Sequence, residues 1–126
     1  MSDVKNKSSD KFEFQNSGYK GLYGGMDIQD IRKNKGLNEN QKITDYMGST
    51  ELAANLFSAT QTEEKLRKEQ IQGIKEANEI HYQVGQKVRQ TIKDLSGTMP
   101  EDLPMPDKSI KQIEREQECR KLKGNE

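Results

Sequence analysis

The chain is short of the residues from which thick cores and metal or redox sites are made. Its 126 residues include no Trp, one Cys, one His and three Pro. A lone thiol, Cys119, cannot close a disulfide within the chain and fits a reducing compartment. It also excludes cysteine-rich zinc sites, which need several thiolates. Net charge is missing as well, since 21 Lys and Arg balance 21 Asp and Glu. That argues against bulk electrostatic coating of nucleic acid, although a local patch stays open. No apolar run approaches the roughly 20 residues of a membrane-spanning helix, and MSDVKNKSSD has no apolar segment of a secretory signal. A cytoplasmic protein without a membrane partner is the expectation. Hydrophobic residues make up 29% of the chain and charged residues 33%, with a mean hydropathy of −1.12. So polar a chain predicts a thin core between helices, with a second copy supplying apolar contacts.

What is present is helical signal. Residues 1–11 are polar and aperiodic and read as a disordered tail. Four of the seven aromatics (Phe12, Phe14, Tyr19, Tyr23) fall in FEFQNSGYKGLYGG among four glycines. Glycine at that density predicts an irregular arm whose aromatics dock onto helices. Asp27 caps a short helix through about Asn34, which Gly36 stops, and Asn38 caps a second that ends at Met47. Ser49 opens a third, with Leu52, Ala53, Leu56 and Phe57 as its apolar stripe. Thr60 to Glu63 reads as a capping box and predicts a break near Ala59.

The longest periodic segment is Ile71 to Leu95. Ile74, Ala77, His81, Val84, Val88, Thr91 or Ile92, and Leu95 alternate by three and four. They form a coiled-coil-like self-association seam or the buried face of one long helix. Gly73 and Gly85 weaken it and Gly97 ends it. Thr98 to Glu101 repeats the capping-box pattern, but Pro104 and Pro106 allow only a turn. Lys108 to Leu122 forms a final helix that frays. The architecture expected is all-α: short helices packed on one long helix, with an N-terminal aromatic and glycine arm, frayed termini, and a homodimer, intertwined if the seam pairs. The ordered unit spans 12–114 and a charged tail spans 115–126.

Candidate chemistry is sparse. His81 lies on the apolar seam, where a core or interface role outweighs catalysis. Cys119 sits in a charged tail as an incidental thiol. GYKGLYGG lacks both the P-loop pattern and G-x-G-x-x-G between strand and helix. The carboxylates stand beside Lys and Arg on solvent faces, with no pair marked as acid and base. No enzyme, metal, cofactor or small-molecule substrate is expected. Lys87, Arg89 and Lys93 form the best basic cluster, although positive charge there also suits the helix dipole. ITDYMGSTELAANLF has the outline of a helix-turn-helix, in which Asn55 and Gln61 could reach bases, but its second helix opens on Thr50 and Glu51 and carries no basic residue through Thr60. Lys87, Arg89, Lys93 and Asn55 are therefore the candidates for contact with DNA or a partner.

FQNSGYKGLYGG, KGLNENQKI, MGSTELAANLFSATQTEEKL, VGQKVRQTIKDLSGTMPEDLP and SIKQIE, in this order, resemble the C-terminal half of the bacterial DNA-damage-inducible protein D (DinD) family. The likeness runs from about Phe12 to Glu114. Family members of usual length carry a domain of the phage and viral BRO type before the arm. This chain has Met1 and a short polar tail there, which makes it a stand-alone second half or an expressed fragment, and no BRO-type DNA binding is carried over. The resemblance implies a non-enzymatic protein of the SOS response, linked to the RecA recombinase as a modulator of its filaments on DNA. The alternative is a DNA-binding regulator of phage-antirepressor type.

Overall fold

A computed structural model describes residues 3–106 together with Arg115, Gln117 and Glu118, and these residues include no strand. Within residues 3–106 four helices follow one another: α1 (Asp3–Leu22), α2 (Ile28–Lys35), α3 (Ser49–Lys68) and α4 (Ile74–Asp94). Short 3-10 turns occupy Ile43–Tyr46 and Pro100–Asp102. The all-α expectation holds, with helices packed on the long α4. Yet α4, of 21 residues, is hardly longer than α1 and α3, of 20 each. The expected final helix Lys108–Leu122 lies outside the described residues apart from Arg115, Gln117 and Glu118, which are helical.

The main departure is at the N-terminus. Helix α1 starts inside the stretch read as a disordered tail and runs through the supposed arm, taking Gly18 and Gly21 into its interior. A helical glycine costs about 1 kcal/mol relative to Ala, and α4 explains why that cost is accepted. A Cβ on Gly21 would stand 2.2 Å from the Tyr82 carbonyl oxygen, and one on Gly18 would stand 2.2 Å from the His81 ring. From the opposite side, a Cβ on Gly85 would lie 2.8 Å from the Leu22 amide nitrogen and 3.0 Å from the Gly18 carbonyl oxygen. The two backbones therefore touch. Their contacts advance in step, from Phe14 on His81 to Leu22 on Arg89, so the helices run in the same sense. The arm is a helix because its glycines are packing residues.

The helix ends follow local chemistry. Asp27 caps α2, and its carboxylate accepts from the Asp30 amide while Asp30 accepts from the Asp27 amide. Gly36 closes α2 in the left-handed region, as expected. Helices α3 and α4 end in the same motif without glycine: Gln70 and Ser96 take φ of 52° and 60°. Ile71 and Gly97 then donate to the carbonyls of Leu66 and Ile92. Gly73, read as a weak point inside a long helix, is the residue just before α4, where the chain turns from α3. The expected Asn38–Met47 helix is reduced to the 3-10 turn at Ile43–Tyr46. No break occurs at Ala59. The Thr60 and Thr62 hydroxyls donate to the Phe57 and Ser58 carbonyls behind them, so neither hydroxyl caps a new helix. The Thr98–Glu101 box is likewise absent, since Met99 precedes the turn and Glu101 points to Arg89.

The core gathers where α2, the first 3-10 turn, the end of α1 and the second half of α4 meet. Leu22, Tyr23, Ile28, Ile31, Ile43, Met47 and Val88 are buried there. Leu52, Ala54, Val84 and Ile92 pack at its edge. At about 25 cal/mol per Å² of apolar surface removed from water, so few large side chains make a thin core. Polar groups must therefore share the interior.

Candidate functional site

The stripe of α3 that turns inward is polar. Glu51, Ser58 and Thr62 are buried and Asn55 is half-buried. The spacing of four, three and four aligns these positions on one face. Glu51 is held from two sides, with Lys35 Nζ 2.8 Å from Oε1 and the Tyr23 hydroxyl donating to Oε2. Asn55 Nδ2 donates to the Tyr23 oxygen and to the Glu51 carbonyl, both at 2.9 Å, and Lys35 also donates to the Tyr46 carbonyl. Burial raises the Tyr23 pKa, and the hydrogen bond to Glu51 raises it further. Tyr23 therefore stays protonated as a donor. This network pins the first turn of α3 to α1 and α2. Tyr23, Glu51 and Lys35 line none of the three clefts described below.

With that stripe inside, the apolar residues of α3 turn outward. Leu56 and Phe57 are 56% and 55% exposed. The expected inward stripe of Leu52, Ala53, Leu56 and Phe57 is thus corrected: only Leu52 packs at the core edge. The polar stripe Glu51, Asn55, Ser58, Thr62 was a visible signal, but it reads as interior only once Lys35 and Tyr23 are known to meet Glu51.

The predicted basic cluster is divided between two sides of α4. Lys87 is exposed in a groove of about 390 Å³ between α3 and α4, beside Phe57, Lys65 and Lys68. Arg89 and Lys93 line a different cleft of about 570 Å³ with Lys20, Gly24 and Gly25. Arg89 is also engaged. Its two terminal nitrogens each lie 2.8 Å from a Glu101 oxygen, and Nη1 donates to the Leu22 carbonyl. That paired bond raises the Arg89 pKa. Burial pushes the Glu101 carboxyl up, but the bonds from Arg89 prevail and it ends below its ordinary value. Asn55, predicted to reach a partner, spends its amide on the buried network.

Along the predicted seam, His81 and Val88 are buried within this one chain, and Ala77, Val84 and Ile92 are half-buried. Ile74 and Leu95, at its ends, are 40% and 76% exposed. Ile80, absent from the seam, is buried too. His81 packs against Phe14 at 4.4 Å between ring centroids, and its Nδ1 lies 2.8 Å from the Phe14 carbonyl. Burial lowers its pKa, partly opposed by that carbonyl. A neutral imidazole donating to Phe14 is a packing role.

A third cleft, of about 600 Å³, opens between α1, α3 and the first 3-10 turn, with Leu56 on its wall. Among the described residues, no group of three or more His, Cys, Asp or Glu could hold a metal ion. No helix there is long and apolar enough to cross a membrane.

Fold and site together define a small all-helical domain with a buried polar clasp and an apolar outer face. Residues 3–113 match the family described as the DinD C-terminal domain, and the chain belongs to that family. It is 63% identical over 101 residues to DNA damage-inducible protein D of Escherichia coli K12. That match covers 80% of this chain but 37% of the relative's length. No solved structure matches the chain.

Proposed function

We propose that the chain is a non-enzymatic interaction module of the bacterial DNA-damage response. It docks on a partner through the outer face of α3 and so modulates recombinase–DNA filaments in the cytoplasm. One observation carries this reading: Leu56 and Phe57 stand side by side and more than half exposed on a 20-residue helix. A small domain leaves such residues outward at a cost in solubility, which contact with a partner offsets. The damage-response context follows the printed name of the Escherichia coli relative, and the recombinase follows the family resemblance. Self-association belongs to the same proposal, through the exposed ends of the α4 seam at Ile74 and Leu95. Sedimentation over a range of concentrations tests that part.

The deciding experiment follows assembly of RecA filaments on single-stranded DNA with increasing amounts of the purified chain. The reading expects a dose-dependent change in filament assembly or strand exchange that Leu56→Ser with Phe57→Ser removes. No change at any ratio ends it. A second reading, a DNA-binding regulator, draws on Lys20 and Lys93 around the cleft of about 570 Å³. It expects a mobility shift that weakens steeply with salt and with Lys20→Ala and Lys93→Ala together. The Arg89–Glu101 pairing weighs against it, because a guanidinium already engaged by a carboxylate offers little to phosphate.

A further inference from the structure

The cleft of about 600 Å³ stands apart from the others in its charge. The chain as a whole is neutral, yet among the described residues Lys11, Arg32 and Lys42 line this cleft and no Asp or Glu does. Lys11 and Lys42 are exposed. Arg32 is fixed at the wall by the Asn38 and Gln41 carbonyls, at 3.0 and 2.7 Å, which hold its charge without neutralising it. None of the three forms an ion pair among the described residues. The groove between α3 and α4 differs: there Lys65 and Lys68 are paired with Glu69 and Glu64.

Aliphatic side chains line the same cleft, with Ile43 buried, Leu52 half-buried and Leu56 at the lip. Within it, Ser58 is 3% exposed and its Oγ has no hydrogen-bond partner among the described residues. A buried hydroxyl of this kind is costly unless something arrives to satisfy it. Apolar walls, a buried unpaired hydroxyl and three cations with no carboxylate paired to them among the described residues together specify an occupant with apolar side chains flanked by carboxylates. Nucleic acid fits the charge, but its bases are held best by stacking on aromatic platforms, whereas Ile43, Leu52 and Leu56 give this cleft aliphatic walls. An amphipathic peptide meets both demands.

We propose that this cleft is a docking site for an acidic amphipathic peptide segment of a partner protein. Its aliphatic or aromatic residues enter beside Leu52 and Leu56, and its carboxylates meet Lys11, Arg32 and Lys42. This deepens the reading of the chain as an interaction module and rests on it, but its test needs no recombinase.

A random 12-residue peptide display library is selected against the full chain, and the enriched peptides are synthesised and titrated by fluorescence anisotropy. The expected winners carry net negative charge and apolar residues three or four apart. Lys42→Glu with Lys11→Glu should weaken their binding by tenfold or more. Lys75→Glu, an exposed charge reversal that lines none of the three clefts, should leave it within about twofold. Circular dichroism checks that each variant keeps its helices. Amide shifts of the isotope-labelled chain should cluster at Thr44, Leu56 and Ala59, around the cleft. Enrichment of basic or uncharged peptides, no enrichment at all, or binding indifferent to Lys11 and Lys42 overturns the proposal. So does competition by single-stranded DNA for the same shifts at physiological salt. Peptide binding without any effect on filaments would remove the recombinase reading and leave this one standing.

Discussion

Helix α4 has two long neighbours, and it treats them differently. Against α1 it makes a backbone-to-backbone crossing, with Gly18, Gly21 and Gly85 clearing the way and His81 sealed beneath Phe14. Against α3 it leaves a groove of about 390 Å³. The first turn of the third helix is clamped through Glu51 and its inward stripe stays buried as far as Thr62, while Leu56 and Phe57 remain more than half exposed. One side has no room for a methyl group; the other leaves a groove. The contrast teaches that α1 and α4 are joined backbone to backbone, whereas α3 turns a polar stripe inward and its large apolar side chains outward.

The largest expected effect tests the clasp. Lys35→Ala leaves the Glu51 charge buried without its partner and should cost roughly 3 kcal/mol in urea unfolding. Adding Glu51→Gln, which removes the orphaned charge while keeping a bond to Tyr23, should recover a good part of that loss. If Lys35→Ala is neutral, α3 is held by something else and the contrast fails.

Next comes the tight side. Gly21→Ala gains about 1 kcal/mol of helix propensity but drives a methyl against the Tyr82 carbonyl. Overpacking that backbone cannot relieve should win, for a net loss of about 2 kcal/mol. Gly73→Ala, with nothing within 4 Å of the added atom, should change stability by less than about 0.5 kcal/mol. Arg89→Ala sharpens the comparison on the cleft side of α1 and α4. It should cost about 1 to 2 kcal/mol through loss of the Glu101 and Leu22 bonds. Its effect on any DNA affinity should be no larger than that of Lys93→Ala. A selective loss of DNA binding in Arg89→Ala would favour the regulator reading.

A smaller effect comes from pH. Burial holds the His81 pKa below its ordinary 6.5. The unfolded chain therefore takes up a proton before the folded one does, and stability falls as the pH drops through about 6.5. Thermal melts between pH 7.5 and 5.5 should show Tm declining on acidification. A flat or rising Tm would mean the imidazole is not sealed against α1.

These regions also differ in how far the sequence reveals them. The ends of α2 are local matters, so Asp27 and Gly36 announce them, and the period of Ile71 to Leu95 locates α4, although the helix starts at Ile74, just after Gly73. Helix α1 was hidden because glycine speaks only of local propensity. That Gly18 and Gly21 face Gly85 across another helix is a relation between residues far apart. The same holds for α3. Its Leu and Phe mark an apolar face, but which face turns inward depends on Lys35 and Tyr23 reaching Glu51 from other helices. The basic cluster failed as a patch for a geometric reason: Lys87 and Arg89, two residues apart on a helix, point to nearly opposite sides.

Under the function proposed above, the outer face of α3 presents rather than holds. Its most direct test measures one variant twice: Leu56→Ser with Phe57→Ser, for urea stability and for its effect on RecA filament assembly. Stability should stay within about 0.5 kcal/mol of the parent, as for surface positions, while the filament effect is lost. A loss of several kcal/mol, or an unchanged filament effect in a stable variant, would contradict it.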